Sequence, residues 1–205
     1  MTTFLIPASS ASAELVERRS RFSGHVWHVG TEDAALSRLR ETREQHPDAS
    51  HNVYAYVLRE SNIMRYSDDG EPSGTAGQPV LNVLRAKGVR DVCCVVTRYF
   101  GGTLLGAGGL VRAYSTAAKL ALHAAGILEI CPWRRLRLTC TYAQYEKIRR
   151  LLEGSGGRIE SADFGAAVTV SVLLREDSAD VALKALIDFS AGTVKIETIG
   201  TVFTA

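Results

Sequence analysis

The stretch DVCCVVTRYFGGTLLGAGGLVRAYSTAAKLALHAAG, residues 91–126, decides how the first half of this chain folds. It opens with a β-branched, nearly continuous apolar run, which predicts a central strand covered on both faces. The glycine-rich segment 101–109 then leads into a long helix that should end at Gly126. Alanines at 113, 117, 121 and 124 form a stripe of small residues, so we expect this helix to approach the sheet closely.

The segments before this stretch predict the other elements of the first half. Alternating apolar positions across residues 14–29 indicate one or two strands broken at Gly24. Thr31 is a predicted N-cap, and the helix that follows should run to His46. The remaining predicted elements are a hairpin whose strands join around residues 59–62 and a short helix at 80–88.

The second half restarts a complete small pattern after residues 131–135, CPWRR. Because Pro132 cannot donate to a strand ladder, this segment is a predicted linker. The pattern beyond it is strand, helix, strand, strand, helix, strand, which is the ferredoxin-like βαββαβ order. In the last helix, apolar residues fall at i, i+3, i+4 and i+7, namely Ala182, Ala185, Leu186 and Phe189.

The composition excludes several classes of protein. The 205 residues are 46% hydrophobic and 22% charged, as in ordinary globular proteins. No apolar run approaches the roughly 18 residues of a membrane helix, and the first residues do not resemble a signal peptide, so we expect a cytoplasmic protein. The four cysteines have no metal-ligand spacing and should be reduced thiols. The net charge of +2 does not by itself indicate nucleic-acid binding, which would need a local basic patch.

An acidic loop, SDDGEPSGTAGQP at residues 67–79, is the first candidate site. Its glycines and prolines are typical of tight turns, and a purely structural role remains open. The clustered carboxylates could instead face a cleft and bind a ligand, although their spacing does not favour tight metal binding. The candidate ligand residues here are Asp68, Asp69, Glu71, Gly74 and Thr75, together with His51 at the start of a strand, which could equally be structural.

The glycine-rich turn after the central strand is the second candidate. Backbone N–H groups at a helix start favour an anion, and Arg98 and Arg112 flank the turn. Neither a Walker A loop nor a G-x-G-x-x-G pattern is present. Close helix–sheet packing is the alternative reason for the glycines, which are Gly101, Gly102, Gly106, Gly108 and Gly109.

A basic patch is the third candidate. Aromatic residues beside arginines are typical of RNA-binding surfaces, and a solvated charged face is the alternative. The residues concerned are Trp133, Arg134, Arg135, Arg137, Tyr145, Lys147, Arg149 and Arg150.

Four segments within residues 20–118 stand in the order and approximate spacing of the IMPACT/YigZ family, which this chain resembles. They are SRF, ASHNVYAY, SDDGEPSGTAGQPVLNVL and VVTRYFGGTLLGAGGLVRAYSTAA. The resemblance implies an α+β protein of two domains. Residues 1–131 would have the fold shared by the second domain of a small-subunit ribosomal protein and domain IV of elongation factor G. Residues 135–205 would form a ferredoxin-like domain similar to domain V of that factor.

The resemblance also implies a role in translation. Eukaryotic members block activation of a starvation-responsive kinase by binding its activator, not by catalysis, and bacterial members are inferred to bind RNA or the translation machinery. We therefore predict a non-enzymatic RNA- or ribosome-associated regulator of translation, without cofactor, metal or membrane association. The alternatives are an enzyme acting on a small phosphorylated metabolite in the glycine-rich and acidic groove, and a protein adaptor.

Overall fold

A computed structural model describes residues 2–60 and 62–205 as a two-domain α+β protein. Ser61, in the predicted connection 59–62, lies outside the described residues. The chain divides into two units, Phe4–Glu129 and Ile130–Ala205, the latter also including residues 2–3. The strands are β1 (Phe4–Pro7), β2 (Ala11–Glu17), β3 (Ser20–His28), β4 (His51–Val57), β5 (Met64–Ser67), β6 (Val92–Tyr99), β7 (Ile127–Cys140), β8 (Arg158–Phe164), β9 (Val168–Arg175) and β10 (Lys195–Thr204). The helices are α1 (Glu32–Gln45), α2 (Gly77–Ala86), α3 (Ala107–Ala125), α4 (Tyr142–Gly154) and α5 (Ala179–Ser190).

The predicted central strand is β6. The first sheet has the order β2-β3-β6-β4-β5 with antiparallel neighbours, so β6 lies in its middle. Both faces of β6 are buried, because successive side chains point to opposite sides. Cys93 packs in the layer with α1, whereas Cys94 packs in the layer with α2 and α3. Because both faces of β6 are buried, nearly all of its side chains are apolar.

Helix α3 lies close to the sheet, as the alanine stripe predicted. A Cβ added at Gly24 in β3 would stand 2.7 Å from the backbone oxygen of Ala117. The prediction that the strand breaks at Gly24 is therefore wrong, since this glycine makes room for the helix inside a continuous strand. The chain turns instead at Arg18 and Arg19, where φ is 45° and 67°. Ala124 is exposed and Ala125 takes the buried position.

The helices of the first unit begin and end at recognisable signals. The Thr31 side chain accepts from the backbone N–H of Ala34, as expected of an N-cap. Helix α2 begins at Gly77, three residues before the predicted start, because the acidic loop caps it.

No helix among residues 2–60 and 62–205 is both long and apolar enough to cross a membrane.

The second unit has the predicted βαββαβ order. Strand order in its sheet is β10-β7-β9-β8, with antiparallel neighbours, which is the ferredoxin-like arrangement. Helices α4 and α5 supply Ile148, Leu152 and Leu186 to a core that continues on β7 and β9. Helix α5 presents Ala182 and Leu186 to this core, whereas Ala185 is exposed.

The predicted linker at residues 131–135 is wrong. These residues lie inside strand β7, which runs without interruption from Ile127 to Cys140. Pro132 lies opposite Phe203 of β10, and its carbonyl accepts from the backbone N–H of Glu176 at 3.0 Å, one position beyond the β9 register that begins at Trp133. Proline is tolerated at such an end of a ladder.

Candidate functional site

The buried carboxylate of Glu71 is the centre of a polar cluster below the acidic loop. Its Oε1 atom accepts a hydrogen bond from Arg98 Nη1 at 2.5 Å and one from the Tyr114 hydroxyl at 2.8 Å. His51 Nε2 lies 3.8 Å from the same oxygen. Two predicted site segments thus meet at one carboxylate, and we call His51, Glu71, Arg98 and Tyr114 the Glu71 cluster.

Arg98 is enclosed rather than presented to solvent. It is 5% exposed, and its Nη2 atom donates to Ser20 Oγ at 3.4 Å. The guanidinium also lies between the rings of Phe22 and Phe100, at 5.4 and 5.5 Å from their centroids. Among the described residues, its Nε atom has no hydrogen-bond partner. In this arrangement the charge of Arg98 is balanced inside the fold by Glu71.

Tyr114 was missed at the sequence level. Burial raises the pKa of its hydroxyl above the ordinary value, and the negative charge of Glu71 and the hydrogen bond to it act in the same direction. The hydroxyl therefore stays protonated and donates to Glu71. A sequence signal exists, because Tyr114 follows Ala113 on the buried face of α3 and a buried tyrosine usually needs a partner for its hydroxyl.

Asp68 organises the acidic loop by accepting backbone hydrogen bonds. Its Oδ2 atom accepts from Gly74 N at 2.8 Å, and its Oδ1 atom accepts from Ala76 N at 3.1 Å and Gly77 N at 2.8 Å. Such bonds satisfy the free N–H groups at the start of α2. The carboxylate therefore closes the loop and caps the helix.

Asp69 and His51 hold the same loop from the other side. Asp69 Oδ1 accepts from Arg43 Nη2 at 2.6 Å, and Oδ2 accepts from the backbone N–H of Asn52 at 2.6 Å. His51 Nδ1 donates to the Asp69 carbonyl oxygen across 2.7 Å, which requires the Nδ1–H state. Thr75 donates to the Pro72 carbonyl at 2.6 Å. The predicted ligand groups of this loop thus serve as its internal supports.

The acidic residues do not form a cluster of metal ligands. Within residues 2–60 and 62–205, no group of three or more His, Cys, Asp or Glu side chains is arranged to hold a metal ion.

The glycine-rich turn is built around the close approach of Gly101 to the turn between β2 and β3. A Cβ added at Gly101 would lie 2.0 Å from the carbonyl carbon of Arg19, so no other residue fits without a shift of backbone. Its N–H donates to Ser20 Oγ at 3.1 Å. The other predicted glycines are Gly102 and Gly106, both with positive φ, and Gly108 and Gly109 in the first turn of α3.

Exposed arginines surround this glycine turn. Arg18 and Arg19 lie in the turn between β2 and β3, and Arg112 lies on α3; we call these three residues the basic turn. None of them forms an ion pair with another described residue. Arg18 and Arg112 line one side of a surface pocket of about 230 Å³, whose other lining residues are Leu15, Glu17, Leu105, Gly109, Ala113 and Thr116. Of the predicted site residues, Gly109 and Arg112 belong to this lining.

The predicted basic patch of the second unit consists mostly of paired charges. Arg135 makes a bidentate contact with Glu160, with N–O distances of 2.8 and 2.7 Å. The carboxylates of Glu176 and Asp180 hold Arg134 and raise its pKa above the ordinary arginine value. Arg137 pairs with Glu197 at 3.5 Å, and Arg149 pairs with Glu146 and Glu153, each at 3.0 Å.

The aromatic part of that patch is not open to a base. Trp133 is 3% exposed, and its indole N–H donates to the Thr204 carbonyl. The guanidinium of Arg158 covers its ring at 4.3 Å. Lys147 lies over the Phe189 ring at 4.5 Å, and Arg150 is exposed. Stacking on Trp133 would therefore require this ring to be uncovered first.

Comparisons with known proteins agree with the fold and cover both units. The family described as Impact N-terminal domain matches residues 18–122, and a domain of unknown function, DUF1949, matches residues 138–193. A crystal structure of a hypothetical protein is 36% identical, with a TM-score of 0.61, and 98% of each chain is covered.

Two curated relatives carry the name of the same family. The IMPACT family member YigZ of Escherichia coli is 36% identical over 199 residues, which are 96% of this chain and 98% of that protein. The IMPACT family member YvyE of Bacillus subtilis is 39% identical over 164 residues, which are 80% of this chain and 76% of that protein. This chain therefore belongs to the IMPACT family.

Proposed function

We propose that this protein is a regulator of translation that binds RNA or the ribosome through the basic turn, without catalysing a reaction. Family membership and the role in translation that the resemblance implies support the first part of this proposal. The observation that carries the second part is the state of the charges. Arg18, Arg19 and Arg112 are exposed and unpaired among the described residues, whereas Arg98 is buried against Glu71.

The chemistry of the basic turn suits a phosphate backbone. An exposed guanidinium group can donate two parallel hydrogen bonds to the oxygens of one phosphate. Neighbouring arginines can bind successive phosphates of the backbone. Helix α3 begins beside them at Ala107, and its N-cap residue Gly106 makes no side-chain cap hydrogen bond, which suits an external acceptor for its first N–H groups. Exposed Phe100 and Leu104 in the glycine turn add apolar surface for a base or a sugar.

A salt titration tests the proposal directly. The probes are a labelled 30-nucleotide single-stranded RNA, measured by fluorescence anisotropy, and purified bacterial ribosomes, measured by sedimentation. We expect affinity to fall steeply with rising salt, because bound phosphates release counterions. In the variant Arg18→Asn, Arg19→Asn, Arg112→Ala, affinity should fall tenfold or more, and the salt slope should decrease by about one for each lost contact.

The control variant is Arg135→Ala, Arg149→Ala, which removes paired arginines of the second unit and should bind like the unmodified chain. Asparagine is used at 18 and 19 because it tolerates positive φ. Circular dichroism confirms that each variant is folded. Equal binding by the basic-turn variant and the unmodified chain, or binding that is independent of salt, would overturn the proposed site.

A further inference from the structure

A continuous groove runs between helices α2 and α3 on the first unit. Its deeper part is a cavity of about 580 Å³ lined by Val83, Lys87, Lys119, Leu120, Leu122, His123, Gly126 and Ile127. A second depression of about 360 Å³ shares Val83 and Lys119 with it and extends toward the start of both helices. We call the two together the α2–α3 groove.

The groove exposes several large apolar side chains to solvent. Leu120 and Ile127 in the deeper part are 40% and 41% exposed, and Val111 in the second depression is 37% exposed. Buried Val83 and Leu122 continue the apolar lining beneath them. Contiguous apolar surface rimmed by polar residues is typical of a binding site.

The charges around the groove have one sign. Helices α2 and α3 contain no aspartate or glutamate, and the exposed ionisable residues that line the groove are Lys87, Lys119 and His123. None of these three pairs with a carboxylate in the part of the chain that the structure describes. Helix α1, by contrast, carries four acidic residues beside three arginines. An occupant with negative charge is therefore favoured.

The length of the groove indicates what kind of occupant fits. Its lining follows one side of α3 from Val111 through Ser115, Lys119 and His123 to Gly126. At 1.5 Å per residue this distance is about 22 Å, the length of a helix of roughly 15 residues. An apolar lining offers an RNA strand few hydrogen bonds, whereas it suits the apolar face of a third helix packed against two others.

We propose that the α2–α3 groove binds an amphipathic, acidic helix of a partner protein. The apolar face of that helix would pack on Val83, Leu120 and Ile127, and its carboxylates would pair with Lys87 and Lys119. Helix-in-groove recognition uses such anchors at i, i+3, i+4 and i+7. This proposal concerns residues other than the basic turn and goes beyond the function proposed above.

The test uses a 16-residue peptide with leucine at i, i+3, i+4 and i+7 and glutamate at most other positions. A twin peptide carries lysine in place of glutamate, and a scrambled peptide has the same composition without the periodicity. Anisotropy of the labelled peptides with the full chain should show at least tenfold tighter binding of the acidic peptide than of either control.

Variants locate the binding. Leu120→Glu and Lys119→Glu should each weaken the acidic peptide tenfold or more, and Lys119→Glu should improve binding of the lysine twin. Lys184→Glu on α5 is the matched control and should bind like the unmodified chain. The basic-turn variant should bind the peptide normally, and Lys119→Glu should bind RNA normally, so the two proposals can fail separately.

Three outcomes would overturn the proposal. The first is equal binding of the acidic peptide and its lysine twin. The second is acidic-peptide binding that Leu120→Glu and Lys119→Glu leave unchanged. The third is a different occupant of the groove, with no binding of the acidic peptide: dodecanoate or RNA binding that Lys119→Glu weakens, or a dimer in gel filtration that Leu120→Glu abolishes.

Discussion

The two units carry similar charge but use it differently. Residues 4–129 contain 14 Lys/Arg and 13 Asp/Glu, and residues 130–205 contain ten and nine. In the second unit, Arg134, Arg135, Arg137 and Arg149 each pair with a carboxylate on the surface. In the first unit, the arginines of the basic turn are unpaired among the described residues, while Arg98 is paired in the interior. Charge available to a partner therefore depends on pairing, not on composition.

The same contrast separates two individual ion pairs. Glu71 and Arg98 have side chains that are 3% and 7% exposed, whereas those of Glu160 and Arg135 are 31% and 39% exposed. A buried charge that loses its partner keeps the full cost of desolvation, and a surface charge regains water. The contact between Arg135 and Glu160 is bidentate and that between Arg98 and Glu71 is a single hydrogen bond, yet we expect the buried pair to contribute several-fold more to stability.

The largest predicted effect is that of Glu71→Ala. The variant leaves Arg98 buried without its carboxylate and Tyr114 without its acceptor, so the free energy of unfolding should fall by about 3–5 kcal/mol. Guanidinium denaturation of the isolated protein measures the change. Glu160→Ala, the surface counterpart, should cost at most about 1 kcal/mol. Equal losses in the two variants would show that burial does not distinguish these pairs.

A smaller effect is expected from Asp68→Ala. The N–H of Gly74 in the loop and those of Ala76 and Gly77 at the start of α2 would lose their acceptor, which should cost about 1–2 kcal/mol. The matched surface change is Glu146→Ala, which removes an exposed partner of Arg149 and should lie within about 0.5 kcal/mol of the unmodified chain. A change in Asp68→Ala as small as that would mean that water replaces the carboxylate at the helix start.

The smallest effect concerns pH and His25. Burial lowers the pKa of His25 below its ordinary value of 6.5, and the neighbouring charge of His46 lowers it further, whereas Glu14 opposes the shift. Because the unfolded chain then takes up a proton that the folded chain does not, stability should fall as pH decreases below about 6.5.

Thermal unfolding at pH 7.5 and 5.5 measures this dependence. His25→Gln should reduce the loss of melting temperature between the two values, while His28→Gln, on the same strand, should leave it unchanged. An unchanged pH dependence in His25→Gln would assign the effect to other groups.

The elements with local signals could be predicted from the sequence. The apolar run of β6, the alanine stripe of α3 and the order of elements in the second unit depend on periodicities within one segment. The strand through residues 131–135 was missed because proline usually interrupts a ladder, and only the fold shows that Pro132 lies where the ladder with β9 ends.

The state of each candidate charge could not be predicted in the same way. Arg135 and Glu160 are 25 positions apart, and Arg98 and Glu71 are 27 apart. Strand register and loop closure bring these partners together, and neither is encoded in the neighbourhood of one residue. The sequence therefore indicated which residues carry charge, while the fold determines which of them remain available.

The adjacent thiols of the central strand, those of Cys93 and Cys94, can report local opening of the first unit. Burial raises the pKa of Cys93 to about 12 and that of Cys94 still further, so both resist alkylation while the domain stays closed. The two sulfurs face different helical layers. Mass spectrometry after timed exposure to iodoacetamide would therefore measure the alkylation rate of each thiol, and so the opening of the layer with α1 separately from that of the layer with α2 and α3. Local opening on either side of the sheet could thus be measured without introducing a label.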